Sequence, residues 1–180
     1  MNEARKAVLE ELARLLAQAW PGSANMVRLE RDMFPHNREE AYFVQDGMHQ
    51  LLDGAVAGWK VGATRQKMRE LDGHDDVIPG RIFASHTFVG DRHRLSINKF
   101  PNARAETEFA FRLLASPELR QTAWTAKELA SIMILQPAIE LIGNRFWVDE
   151  VSKSENSLLT IADNGGGIGF VFGEPVTDWH

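Results

Sequence analysis

From residue 103 to residue 114 the chain reads ARAETEFAFRLL, and apolar and polar side chains alternate along almost all of it. A period of two belongs to the β-strand and to no helix, so this stretch is confined to a strand with two unlike faces. Ala105, Thr107, Phe109, Phe111 and Leu113 share one face, and Arg104, Glu106, Glu108 and Arg112 share the other. Two carboxylates therefore point the same way, on α-carbons about 7 Å apart. A half-buried antiparallel strand ordinarily turns such a charged row to water. The alternative is a site for a hard divalent cation, which takes oxygen ligands. Burial separates the two. Unit charges 7 Å apart repel by roughly 2 kcal/mol at an effective dielectric of 20, and desolvation adds several kcal/mol per ion, so a buried pair needs a cation.

The rest of the chain narrows the classes of function. Its 180 residues suit a single core, and a chain of that length buries about 70% of its unfolded surface. A net charge of −5 and a pI near 5.7 argue against nucleic acid or an anionic membrane as partner, since both call for a basic patch. A small ligand is the expectation that remains. The absence of cysteine removes disulfides, thiolate zinc sites and cysteine nucleophiles together, and fits a reducing compartment. Glu3, Glu10 and Glu11 interrupt the apolar residues of the first twenty, so no signal-peptide core is visible, and no apolar run approaches a membrane span. The expected location is cytoplasmic, with no membrane association.

Helical spacing of Val8, Leu9, Leu12, Leu15, Leu16 and Ala19 predicts a helix over 3–19. A second is predicted over 38–52, capped by Asn37, with Ala41, Val44, Met48, Leu51 and Leu52 on its apolar stripe. Trp59, Lys60 and Val61 read as a short strand with Lys60 on its own face, followed by a helical turn at 65–71 and a turn-rich loop to Gly80. Further strands are predicted at 81–84, 86–89, 93–97 and 103–114. Thr125 and Glu128 form a capping box, so a short helix is expected between Pro117 and Gln136, ended by Pro137. Strands at 138–142, 158–162 and 168–172 complete the reading, the last two around the turn at 163–167.

Several common sites are absent. The chain has no phosphate-binding G-x-x-x-x-G-K-[ST], no G-x-S-x-G and no H-E-x-x-H, and GGGIG at 165–169 does not complete G-x-G-x-x-G. Glu140 stands out because it is alone among Ile139, Leu141 and Ile142. It is either a buried acid paired with a base such as Arg145 or part of a site. Lys60 has the same two readings, a snorkelling strand lysine or a functional one.

Taken together, GWKVGAT at 58–64, ARAETEFAF at 103–111, PAIELIGNR at 137–145 and IADNGGGIGFVFG at 161–173 resemble the 2-oxopent-4-enoate hydratase branch of the fumarylacetoacetate hydrolase family. AYFVQ at 41–45 is similar to that branch's second helix. The resemblance implies an α+β fold in which N-terminal helices, residues 1–57, lie on a mixed, mostly antiparallel β-roll, residues 58–180. Relative to that family the chain stops early, at Asp178-Trp179-His180, so the roll is expected to lack its C-terminal part. The resemblance further implies that Glu106, Glu108 and Glu140 bind Mg²⁺ or Mn²⁺, that Lys60 serves acid/base chemistry or anchors a substrate carboxylate, and that Asp163 and Asn164 orient the site from behind. No acid stands just before Gly80, where hydratases of this group can carry one; Asp75 and Asp76 lie further back.

The implied activity is hydration of a 2-hydroxydienoate or 2-oxoenoate to a 4-hydroxy-2-oxo acid, by a lyase of aromatic-compound catabolism. Decarboxylation of an oxalocrotonate-type dioate, hydrolysis of an acylpyruvate and a non-catalytic, partner-dependent role stand as alternatives. Relatives imply a homo-oligomer, at least a dimer. An uncovered strand edge around 158–172, with Phe170, Phe172 and Trp179 nearby, is where self-association is expected.

Overall fold

The computed structural model of the chain describes residues 1–20, 26–90, 92–96, 98, 103–176 and 178–179, with backbone alone at 71 and 72. Helix α1 spans Glu3–Ala19 and is opened by Asn2, whose side chain accepts from the Arg5 amide at 2.8 Å. Strand β1 is Val27–Arg28. Helix α2, Arg38–Leu52, is capped by Asn37 through the Glu40 amide at 2.9 Å. Both helices have the predicted bounds because capping side chain and apolar stripe agree at each.

Strand β2, Val56–Gly62, pairs antiparallel with β3, Ile78–Phe83, and α3, Gln66–Asp72, lies between them in sequence. Strands β4, Thr87–Val89, β5, Arg104–Leu113, β6, Met133–Ile142, and β8, Gly167–Phe172, form a four-stranded sheet in the order β4-β8-β6-β5. Its β4–β8 pairing is parallel and its other two are antiparallel. Helix α4, Ala126–Ala130, precedes β6 and carries the Thr125/Glu128 capping box. Strand β7, Phe146–Trp147, pairs in parallel with β1, and α5, Lys153–Ala162, runs into β8. The result is a mixed α+β arrangement. Leu9, Leu12, Leu16, Val44, Met48 and Leu159 make the centre of its core, where α1, α2 and α5 meet Ile78 and Phe83 of β3. Among the described residues no helix is long and apolar enough to cross a membrane.

The structure corrects the sequence reading in four places. Residues 158–162 are the end of α5, not a strand. Ser152 and Glu155 form a second capping box, and Leu159, Ile161 and Ala162 are buried from a helical surface. Strand β8 has β6 along one side and β4 along Phe170–Phe172 on the other, so among the described residues that stretch has no free edge. Pro137 lies inside β6 instead of ending a helix. Its carbonyl accepts from Gly173, just past the end of β8, at 2.9 Å. The missing N–H of the proline therefore falls where that ladder stops. Residues 92–96 form no strand, and residue 97 lies outside the described residues. Alternation leaves open which face of β5 is covered, and the apolar one is not core: Phe109 is 76% exposed, Phe111 51% and Leu113 48%.

Candidate metal centre

The β5–β6 register sets Glu106 directly opposite Glu140, with Glu108 opposite Ala138. Directly opposed residues point to the same face, as do residues two apart on one strand, so all three carboxylates converge. Each offers an oxygen within 4.8 Å of those of the other two. Glu106 and Glu108 are exposed, whereas Glu140 is 5% exposed. The charged face is thus open along β5 and closed along β6. Burial pushes the Glu140 carboxyl up to about 7; the Lys60 ammonium opposes this, while Glu106 and Glu108 add to it. Its Oε1 is buried and has no hydrogen-bond partner among the described residues. A buried acceptor facing two further carboxylates has the donor set of a hard-cation site, and an all-oxygen group of this kind suits Mg²⁺, Mn²⁺ or Ca²⁺.

Lys60 projects from β2 opposite Gly80, on the face away from Trp59 and Val61. Its side chain is 9% exposed, its Nζ stands 3.7 Å from Glu140 Oε1, and it donates to the Gly165 carbonyl. A slot bare of side chains admits it. A Cβ on Gly165, whose φ is +65°, would stand 2.7 Å from Lys60 Cε. One on Gly80 would lie 2.4 Å from the Asn164 carbonyl oxygen and 3.1 Å from Lys60 Cε. Because the first obstacle is backbone, Gly80→Ala is expected to destabilise the fold by about 1–3 kcal/mol in denaturant unfolding. Gly58→Ala on β2, whose Cβ would meet only Ile82 Cδ1 at 3.8 Å, is expected to stay within about 0.5 kcal/mol.

Asp163 and Asn164 do not touch the glutamates. Asp163 accepts from the Arg145 backbone amide at 2.9 Å and from its Nε at 2.5 Å, and the Asp163 carbonyl accepts from Arg145 Nη2 at 2.6 Å. Asn164 accepts from the Arg81 amide at 2.8 Å and donates to the Arg81 carbonyl at 2.9 Å, which locks the turn to β3. These two residues build the turn that carries Gly165, and they approach the carboxylates through Lys60 and through Gly167, whose carbonyl accepts from Asn164 Nδ2 at 3.4 Å and on which a Cβ would stand 2.9 Å from Glu140 Oε1. Arg145 therefore pairs with Asp163, and the base nearest Glu140 is Lys60. Asp75, one of the loop acids, pairs instead with Arg38 at 3.0 Å on the surface. Gly80 and the Gly165 carbonyl are the site features that sequence reasoning passed over; their only signal is glycine where a strand and a turn converge on one lysine.

Comparison with solved structures concerns the architecture that carries these residues. The chain is similar to 4-oxalocrotonate decarboxylase from Pseudomonas putida G7 complexed with magnesium and adipate, with a TM-score of 0.72 and 19% identity over 96% of this chain and 64% of that one. Against the same enzyme complexed with calcium and acetate the TM-score is 0.70, at 19% identity over 91% of this chain and 62% of that one. The two proteins share a fold. At this identity the likeness is one of architecture, and the chain spans less than two thirds of the decarboxylase's length. No family model matches the sequence, and no curated protein does.

Proposed function

We propose that this chain is a divalent-metal-dependent enzyme acting on a small 2-oxo acid, and within that class a hydratase that converts a 2-hydroxydienoate to a 4-hydroxy-2-oxo acid. The observation that carries the proposal is the convergence of Glu106, Glu108 and Glu140 within 4.8 Å, with the Lys60 ammonium 3.7 Å from the Glu140 oxygen that has no hydrogen-bond partner among the described residues. The three glutamates would hold Mg²⁺ or Mn²⁺. When bound, such a cation supplies Lewis-acid polarisation to the keto and carboxylate oxygens of a 2-oxo acid. The chain's own part is positional. Glu106 and Glu108 leave the approach open on the β5 side, and the Gly165 carbonyl aims the Lys60 ammonium at the carboxylates. Lys60 there presents a proton or anchors a substrate carboxylate. Asp163 and Asn164 hold the turn behind it.

Hydration rests on the motif resemblance. Decarboxylation of a dioate is the second reading, favoured by likeness to a decarboxylase whose complex contains adipate, itself a dicarboxylate. Both reactions are served by stabilising negative charge on the keto oxygen, so only contacts at the far end of the substrate separate them. The test is turnover of 2-hydroxypentadienoate and of an oxalocrotonate-type dioate with Mg²⁺ or Mn²⁺. Hydrated product from the first supports the hydratase, and CO₂ release from the second moves the assignment to decarboxylation. Turnover of neither overturns the proposal. Lys60→Met keeps the apolar stem and removes the charge, so it is expected to retain fold and Mn²⁺ affinity while kcat falls about 100-fold or more. Wild-type turnover in that variant would reduce Lys60 to a structural residue.

A further inference from the structure

The polar face of β5 carries positive charge as well as negative. Arg104 lies two residues before Glu106, with α-carbons about 7 Å apart, and Arg112 lies four residues beyond Glu108, about 14 Å away. Arg104 stands opposite Ile142 of β6, and Ile142 opposite Gly167 of β8, so the row next to Glu106 and Glu140 holds no acid. Other cations beside the site are engaged: Arg145 with Asp163, Arg81 with Asp46, and Lys60 at Glu140 and the Gly165 carbonyl. Arg104 is exposed and has neither an ion pair nor a hydrogen-bonded acceptor among the described residues. The three glutamates do not call on it. A dication together with the Lys60 ammonium offsets their charge, so the guanidinium at the rim remains a positive charge in surplus. Its planar fork of donors fits a carboxylate.

Given the metal centre and the function proposed above, we infer that Arg104 is a specificity-determining residue that binds a second carboxylate, at the end of the substrate remote from its 2-oxo group, so that the substrate is a dioate. Arg104 also bears on which of the two reactions follows. In decarboxylation the bond to the remote carboxylate breaks, its electron pair passes along the conjugated chain to the keto oxygen, and the carboxylate leaves as neutral CO₂. A guanidinium holding that group stabilises the reactant more than the transition state. In hydration the remote carboxylate keeps its charge throughout, so the hold of Arg104 does not oppose the reaction. Arg104 therefore favours hydration of a dioate over its decarboxylation.

Calorimetric titration of the Mn²⁺-loaded protein tests this with two unreactive probes, 2-oxoadipate and 2-oxohexanoate, which differ only in ending in a carboxylate or a methyl group. The wild type is expected to bind the dioate about 10–100-fold more tightly. Arg104→Gln should bring the dioate down to the level of the monoacid, while the affinities for monoacid and Mn²⁺ stay as they were. Circular dichroism should show an intact fold, because the position is exposed. Arg112→Gln, the same change further along the same face, should leave the preference in place. Equal binding of the two probes by the wild type overturns the role of Arg104 and leaves the metal-centred function standing. A preference that survives Arg104→Gln, or is lost equally in Arg112→Gln, does the same. Binding of neither probe overturns both.

Discussion

Glu140→Gln is expected to raise the melting temperature of the metal-free protein above pH 7 and to abolish its Mn²⁺ binding. In the fold the Glu140 carboxyl is pushed up from its ordinary 4.5 to about 7, because burial, aided by Glu106 and Glu108, disfavours its charge more than Lys60 favours it. Between those two values the unfolded chain has released a proton that the folded chain keeps. Wild-type stability therefore falls as pH rises from 4.5 to 7, and above 7 the loss is complete at about 3 kcal/mol. The attraction of Lys60 is already contained in that figure. Glutamine cannot ionise, but its amide is still buried, so a net gain of about 1–2 kcal/mol is expected, or roughly 3–6 °C in melting temperature for a chain of this size. The gain should shrink toward pH 5, where the wild-type carboxyl is protonated in the fold.

Mn²⁺ should reverse the order of the two proteins. A cation that binds only the folded wild type stabilises it by mass action, and the variant has lost a charged ligand. Proton competition at Glu140 should likewise weaken Mn²⁺ binding to the wild type as pH drops below 7. Melting curves across this pH range, with and without Mn²⁺, check all of this. A variant no more stable than wild type at pH 8 in the absence of metal would mean that Glu140 carries no strain of burial.

The same residues show what a sequence of this kind makes legible. The pairing of Glu106 with Glu108 follows from strand alternation alone, and the isolation of Glu140 in an apolar run signals a buried acid. Their meeting does not follow, because the register that opposes Glu106 to Glu140 is a long-range pairing with no local signature. Alternation likewise divides β5 into two unlike faces without saying which one is covered. Here the polar face borders the buried site and the phenylalanines stand bare, opposite to the usual arrangement of a half-buried strand. The end of α5 was hidden for another reason. Leu158 to Ala162 is a short apolar run that suits strand and helix equally, and only S-x-x-E at Ser152–Glu155 distinguishes them. Local chemistry was legible at α1, α2 and β5, where a cap with an apolar stripe or a strict period fixed it, but not at Pro137, which lies inside β6; contacts made by backbone atoms, such as the Gly165 carbonyl with Lys60, leave only the glycines as their trace.

Asp163→Asn is expected to destabilise the fold by about 3–5 kcal/mol, the cost of leaving a buried charge without its counterion. Asp163 is fully buried, and Arg145, 6% exposed, has its guanidinium held between this carboxylate and the ring of Trp20, 4.2 Å away. Burial pushes the Asp163 carboxyl up by more than the charge and hydrogen bonds of Arg145 pull it down, so the cost of the amide falls on Arg145, whose buried guanidinium keeps its charge and loses its ion-pair partner. An amide at this position keeps an acceptor but loses the charge and turns N–H groups toward a group that is itself only a donor. Against a typical total stability of about 5–15 kcal/mol, the loss is large enough to lower expression and melting temperature together. Replacing both partners, Asp163→Asn with Arg145→Met, should cost less than the two single changes added, since no uncompensated charge remains. Metal binding distinguishes this from a role beside the carboxylates. A group that orients metal ligands typically costs about 10–100-fold in affinity when removed. The bonds of Asp163 go to Arg145 and to none of the glutamates, so under conditions where the variant is folded its Mn²⁺ affinity should be close to that of the wild type. A variant that folds with wild-type stability but binds Mn²⁺ poorly would place Asp163 in the metal centre after all.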